Sequence, residues 1–288
     1  MNSVNLLSEL DDLLCAWWMI ELRDERYLPL LEALKGATAD TQLKNKIWMY
    51  SALLDSHLLN LNIFGLLKSG SFYQAWCALE QLEILLSRID ENKACLDGNF
   101  GQRFLSNAVG SWQALFPYKI FFSSREIIKK LSCSICEKPR SVLQGCGHRK
   151  GKLYAGEICY DVAEDFELIT WDVVSNPVRK SSVPFSSEGD QHNYTMLKAV
   201  LQVVTSPRHQ FRAYITGTPL KKHTGVHSPS SVCPCMRSIR HYDDCCMPRP
   251  TIETNHINLV FHLPMQACVS DLQVVTESAE TCPSSQES

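Results

Sequence analysis

Apolar residues recur at helical spacing from the start of the chain. Leu6, Leu10, Leu13, Leu14, Trp17 and Trp18 form one amphipathic run. A break at residues 36–40 separates it from a second run, whose inward positions are Ile47, Tyr50, Leu54, Leu58, Leu61 and Leu66. Gly70-Ser71 ends that run and offers Ser71 as a cap for a third, which carries Trp76, Leu79, Leu82, Leu85 and Leu86. A further helix from about Phe100 to Phe116 stops at Pro117. Residues 3–130 therefore read as helical throughout, and four or five antiparallel helices with short connections make a bundle with the tryptophans in its core.

After Ser132 the texture changes. Short β-like runs appear at Glu167–Val174 and Ala199–Val204, separated by Pro/Ser-rich breaks at Asn176–Ser187 and Thr216–Ser231. Thr251–Leu263 alternates enough for a strand. The polar tail from Thr276 has little to bury and is expected to be disordered.

The 288 residues suffice for one large or two modest domains, and 45% hydrophobic with 20% charged residues is ordinary for a soluble globular protein. The formal charge of −3 indicates no partner, but its distribution is uneven. Residues 119–159 hold nine Lys/Arg against three Asp/Glu, and residues 198–249 hold eight against two. Glu9, Asp11 and Asp12 stand where an export signal would be basic, and the apolar runs Leu13–Ile20 and Leu58–Leu67 are too short or interrupted to span a bilayer. A cytoplasmic location without membrane contact is the expectation. In a reducing compartment thirteen cysteines point to metal rather than to disulfides, and eight of them lie between Cys133 and Cys246, within the two basic stretches. Cys15 and Cys77 fall in apolar helical runs and read as small core residues.

The first cluster comprises Cys133 and Cys136 in a C-x-x-C pair, then Cys146-Gly147-His148, then Cys159 at the end of G-x-x-Y-x-G-x-x-C. A C-x-x-C turn offers two thiolates to one ion, and zinc completes a tetrahedron with two ligands from elsewhere. Those two would be Cys159 plus either Cys146 or His148. Ligand softness speaks for Cys146, and a side chain turned inward after Gly147 speaks for His148. Glycines 145, 147, 151 and 156 let the loops fold back. Lys138, Arg140, Arg149, Lys150 and Lys152 offset thiolate charge. The pattern, with Leu168–Pro177 following it, resembles uncharacterised bacterial and phage-associated proteins. Within it the stretch 169–178, ITWDVVSNPV, is similar to a strand of phage prohead proteases. No histidine and serine can be matched to such a protease, so its activity is not carried over.

The second cluster holds Cys233, Cys235, Cys245 and Cys246 within fourteen residues. Four thiols with no large core of their own gain order mainly by closing on a metal, which supplies on the order of 10 kcal/mol. The segment resembles the SEC-C zinc knuckle: C-P-C, a basic loop, Tyr242 in the aromatic place, then C-C, followed by the strand-like Asn255–Phe261. It departs from that pattern by one extra residue between the second and third cysteines, and by Met236-Arg237-Ser238 in place of a Gly-Ser-Gly. The resemblance implies a recognition element rather than a reaction centre.

No H-E-x-x-H, G-x-S-x-G, P-loop or G-x-G-x-x-G signature is present, so no catalytic residue is assigned and no small-molecule substrate is indicated. His209, His223 and His227 read as solvated loop histidines. The expected fold class is α+β: a helical bundle over 1–130, a first zinc-braced α+β module over 131–215, a knuckle over 216–265, and a tail over 266–288. The expected function is a non-enzymatic adaptor that binds two zinc ions and presents basic modules to a protein, ribosome or nucleic-acid partner. The alternative is a hydrolase with structural zinc.

Overall fold

A computed structural model describes residues 3–21, 29, 31, 33–34, 39–96, 98–141, 143, 145–187, 189–190, 192–220, 228–231, 233, 240–249 and 252–262. The expected disorder of the tail from Thr276, together with His223 and His227, lies outside them. The fold is α+β.

The helices are α1 (Ser3–Cys15), α2 (Thr41–Lys68), α3 (Phe72–Glu91) and α4 (Gln102–Leu115). Asp40 caps α2 by accepting from the Gln42 N–H at 2.9 Å. Ser71 occupies the capping position of α3, but its hydroxyl meets Ser69 at 3.1 Å and makes no cap bond. Helices α2, α3 and α4 pack together through Tyr50, Leu53 and Ile63 of α2, Trp76, Leu79 and Leu82 of α3, and Leu105, Val109 and Trp112 of α4. Cys77 is only half-buried, and Cys15, expected in the core, is exposed beside the surface carboxylates Asp11 and Asp12.

Helix does not continue to residue 130. Phe121–Cys133 is a strand, β1, paired antiparallel with β5 (Asp161–Val174) from Phe121↔Val174 to Cys133↔Asp161. Pro117 ends the helical stretch, and the aromatic and β-branched residues of 121–128 then extend because a partner strand is available. The short β2 (Pro139–Arg140) adds to β1 at Leu131 and Ser132, and β3 (Leu153–Tyr154) pairs with β4 (Glu157–Ile158). The β1–β5 ribbon is exposed along its middle and held at its ends. At one end Phe121 stacks against Trp76, with ring centroids 6.2 Å apart, and the Phe122 N–H donates to Ser182 O.

The Pro/Ser-rich segment after β5 is tied to α3. The buried Glu80 carboxylate accepts from the backbone N–H groups of Lys180 and Ser181, while Trp76 Nε1 donates to Lys180 O at 2.6 Å. Ala199–Val204, expected as β-like, belongs instead to helix α5 (Thr195–Val203) and its cap. Leu197, Val200, Leu201 and Val204 recur at three- and four-residue steps and are all buried, so burial on one helical face overrides their β-branched content. β6 (Phe211–Leu220) and β7 (Ile252–Phe261) form a two-stranded sheet whose start docks on α4, where the Ser111 hydroxyl donates to Phe211 O and accepts from Ala213 N–H. No helix among the described residues is long and apolar enough to cross a membrane. His209 is not fully solvated: its Nδ1 is buried without a hydrogen-bond partner.

His57 lies inside the helical layer, stacked 5.2 Å from Trp17 and bonded through Nε2 to Phe100 O at 2.7 Å. Burial outweighs that bond and holds its pKa down at about 4. A histidine lowered in the folded state leaves stability intact above its unfolded value near 6.5 and erodes it as the pH falls from there towards 4. Urea unfolding at pH 7 and pH 5 is expected to show a loss approaching about 1.4 kcal/mol per pH unit in this window. His57→Phe should remove that part of the decline. Equal decline in the variant would show that His57 is not its source.

Candidate metal centres

β1 ends at Cys133, and the chain turns back at once. Cys133 C=O accepts from Glu137 N–H at 2.8 Å, Cys133 N–H donates to Lys138 O at 3.0 Å, and Ile135 N–H donates to Cys133 Sγ at 3.4 Å. This tight turn aims the Cys133 and Cys136 thiols the same way. Gly147, at φ 86°, turns the backbone between Cys146 and His148 so that both reach the same point. The donor atoms of Cys133, Cys136, Cys146 and His148 all lie within 4.8 Å of one another. His148 Nδ1 is 3.7 Å from the sulfurs of both Cys133 and Cys146. A tetrahedral ion with about 2.3 Å bonds to sulfur sets its ligand atoms about 3.8 Å apart, so these four donors fit one metal ion.

Cys159 lies beside this group rather than within it. Its Sγ is 3.8 Å from Cys133 Sγ and 3.2 Å from Arg140 Nη2. The two residues expected to compete, Cys146 and His148, are thus gathered together, while Cys159 meets a guanidinium. Arg140 is the residue that sequence reasoning undervalued. Its Nη2 lies 3.7 Å from the sulfurs of both Cys133 and Cys146 and donates to His148 O, while its Nη1 pairs with Asp161. The strand register sets that pair, since Asp161 stands opposite Cys133. The other expected cations are spread around the module: Lys150 reaches Asp161 at 3.5 Å, Lys152 donates to Glu91 O, and Lys138 and Arg149 are exposed.

These groups shift the thiols in opposite directions. Burial resists ionisation of Cys133, but the N–H groups of Ile135 and Cys136 and the thiols of Cys146 and Cys136 outweigh it and bring it down to about 6. The His148 N–H, with Arg140, lowers Cys146 against its own burial. Burial, and then the neighbouring Cys133, raises Cys159. A thiolate is the form that binds metal.

The module is fixed to the helices at two places. Asn92, at the end of α3, donates to Gly151 O at 2.8 Å and accepts from Leu153 N–H at 3.1 Å. Asn45, in the second turn of α2, accepts from Gly156 N–H at 2.8 Å. Gly156 comes so near α2 that a Cβ there would lie 3.3 Å from Lys44 O.

In the second cluster Cys233, Cys245 and Cys246 have sulfurs within 4.8 Å of one another, and those of Cys245 and Cys246 are 3.8 Å apart. Cys233 and Cys246 are buried, with Tyr242 packed on them. Cys233 N–H donates to Arg240 O at 2.9 Å, and Tyr242, opening helix α6 (Tyr242–Cys245), donates to Ser231 O at 2.8 Å. The fourth expected ligand, Cys235, lies outside the described residues. Among the described residues this small cluster packs around its cysteines and one tyrosine, so a metal ion would replace the core the segment lacks.

Searches against protein-family models, curated proteins and solved structures find no match.

Single substitutions should rank the five donors of the first cluster. Cys136→Ser and His148→Ala are each expected to abolish one equivalent of bound metal. Cys159→Ser should keep the stoichiometry and weaken affinity by about 10–100-fold, as loss of an outer partner does. Elemental analysis with chelator competition reads both. Loss of a metal equivalent in Cys159→Ser alone would place that sulfur among the ligands.

Proposed function

We propose that the chain is a zinc-binding adaptor without catalytic chemistry of its own. The observation that carries the reading is the convergence of Cys133, Cys136, Cys146 and His148 within 4.8 Å. Three sulfurs and one imidazole are a structural zinc set, and because four protein donors close the tetrahedron no position is left for a reacting water. The Cys133/Cys136/Cys146/His148 ion would carry −1 with its thiolates ionised, and together with Asp161 this is offset by Arg140, 3.7 Å from two of the sulfurs, and Lys150. At the second cluster Cys233, Cys245 and Cys246 would hold zinc with Cys235, in the manner of a SEC-C knuckle.

The adaptor part of the reading rests on where charge is left over. Arg140 and Lys150 both meet Asp161, whereas Lys138 and Arg149 are exposed, and Lys150 keeps most of its side chain in solvent beside them. The rim of the first module is therefore cationic and suits an acidic partner surface or nucleic-acid phosphates. A cytoplasmic location fits reduced, metal-bound cysteines.

Protein purified without chelator should contain close to two zinc ions per chain by elemental analysis, and absence of zinc would overturn the proposal. Binding to a mixed-sequence nucleic acid should weaken steeply with added salt, and Arg149→Glu with Lys150→Glu should weaken it further. Zinc content at two with no binding at low salt would leave a protein surface as the partner.

A further inference from the structure

The β1–β5 ribbon has two unlike faces. Residues opposite each other in an antiparallel pair point to the same side, so the register assigns them. Phe122, Ser124, Glu126 and Ile128 of β1 share a face with Val173, Trp171, Leu168 and Phe166 of β5, the register shift between Arg125 and Glu126 being taken up by Ile169. The other face carries Ser123, Arg125, Ile127, Glu167, Thr170 and Asp172. On the first face Phe122, Ile128, Phe166, Leu168, Trp171 and Val173 are 43–62% exposed. On the second, Arg125 pairs with Asp172 at 2.9 Å, and Lys129 reaches Glu167 at 2.9 Å. Lys130 pairs with Glu164 next to them.

A two-stranded ribbon with one apolar face is marginal in water and needs a second layer. From this face we infer that the chain forms a homodimer in which the ribbons of two copies pack face to face. Charge speaks against a charged partner on this face, because Arg125, Lys129 and Lys130 pair with Asp172, Glu167 and Glu164 and the only polar residues among the stripe's paired positions are Ser124 and Glu126. The complement of such a stripe is a second one, and a two-fold axis supplies it from the same sequence.

Area supports the same occupant. Six half-exposed side chains offer roughly 600 Å² per copy, given the about 150–250 Å² that a large aromatic can bury. Two copies together would remove at most about 1,200 Å² from water, so full burial of all six side chains reaches the lower bound for a stable interface. Face-to-face packing is favoured over edge-to-edge pairing by the register shifts at Arg125/Glu126, Ile128/Lys130 and Lys130/Leu131, since bulges spoil a regular edge. The contact would be a four-stranded sandwich centred on Phe166, Leu168 and Trp171.

Sedimentation velocity on the full, metal-loaded chain across micromolar concentrations tests this. The wild type should be dimeric. Trp171→Glu should raise the dimer dissociation constant at least about tenfold, in keeping with a central aromatic. The milder Leu168→Thr, which preserves strand propensity, should also weaken the dimer, with far-UV circular dichroism and metal content unchanged in both. Thr170→Glu, on the opposite face, should leave the dimer intact. A monomeric wild type overturns the inference, including one whose apolar face is covered by another protein. Persistence of the dimer in both apolar-face variants, or equal dissociation by Thr170→Glu, also overturns it.

Discussion

Pairing of β1 with β5 places Cys133 opposite Asp161, so the residues between them must leave and return within one strand spacing. That closure determines the first cluster. It brings Cys159 to 3.8 Å from Cys133, directs Asp161 at Arg140, and holds Arg140 among the sulfurs. The Cys133–Cys136 turn and the Gly147 bend then complete the donor set from a segment with little apolar surface of its own. At the far end of the ribbon Phe121 enters the aromatic group of Trp76, Phe116 and Tyr118. One ladder thus joins the helical core to the candidate metal centre.

Much of this was legible in the sequence. The spacing of Cys133, Cys136, Cys146 and His148 marks the residues whose donor atoms the fold gathers, because few other roles need so many soft ligands among glycines. Four helices follow from their leucine and tryptophan periodicity. β1 was not legible as a strand: in Phe121–Lys130 like residues come in pairs (Phe-Phe, Ser-Ser, Ile-Ile, Lys-Lys), and bulges break the two-residue period that marks a half-buried strand. α5 was obscured by its valines, which burial holds in a helix. The placing of Cys159 against Arg140 depends on a strand register no local pattern displays.

Electrostatics and packing divide the labour between the two halves of the molecule. The helical layer excludes charge, and its exceptions are satisfied individually: Glu80 accepts two backbone N–H groups, and Tyr50 donates to Asp11 at 2.7 Å. The first cluster instead gathers ionisable groups and balances them against each other, with Arg140 between Asp161 and the thiols. The half-buried guanidinium lies within 3.7 Å of the sulfurs of Cys133, Cys146 and Cys159, where its charge offsets the repulsion between thiolates.

The narrow neck at Cys133 and Asp161 also has a topological meaning. A segment whose two ends meet across a single ladder rung behaves as an insertion in a hairpin. Residues 134–160 can be regarded as a cassette carried on the ribbon, exchangeable for a tight turn without disturbing the strand pairing from Phe121↔Val174 onward. What such an exchange would remove is the anchorage to Asn45 and Asn92, leaving the ribbon held to the helices at its other end, where Phe121 stacks on Trp76. One of the two anchorages that orient the ribbon is therefore encoded outside the strands that form it.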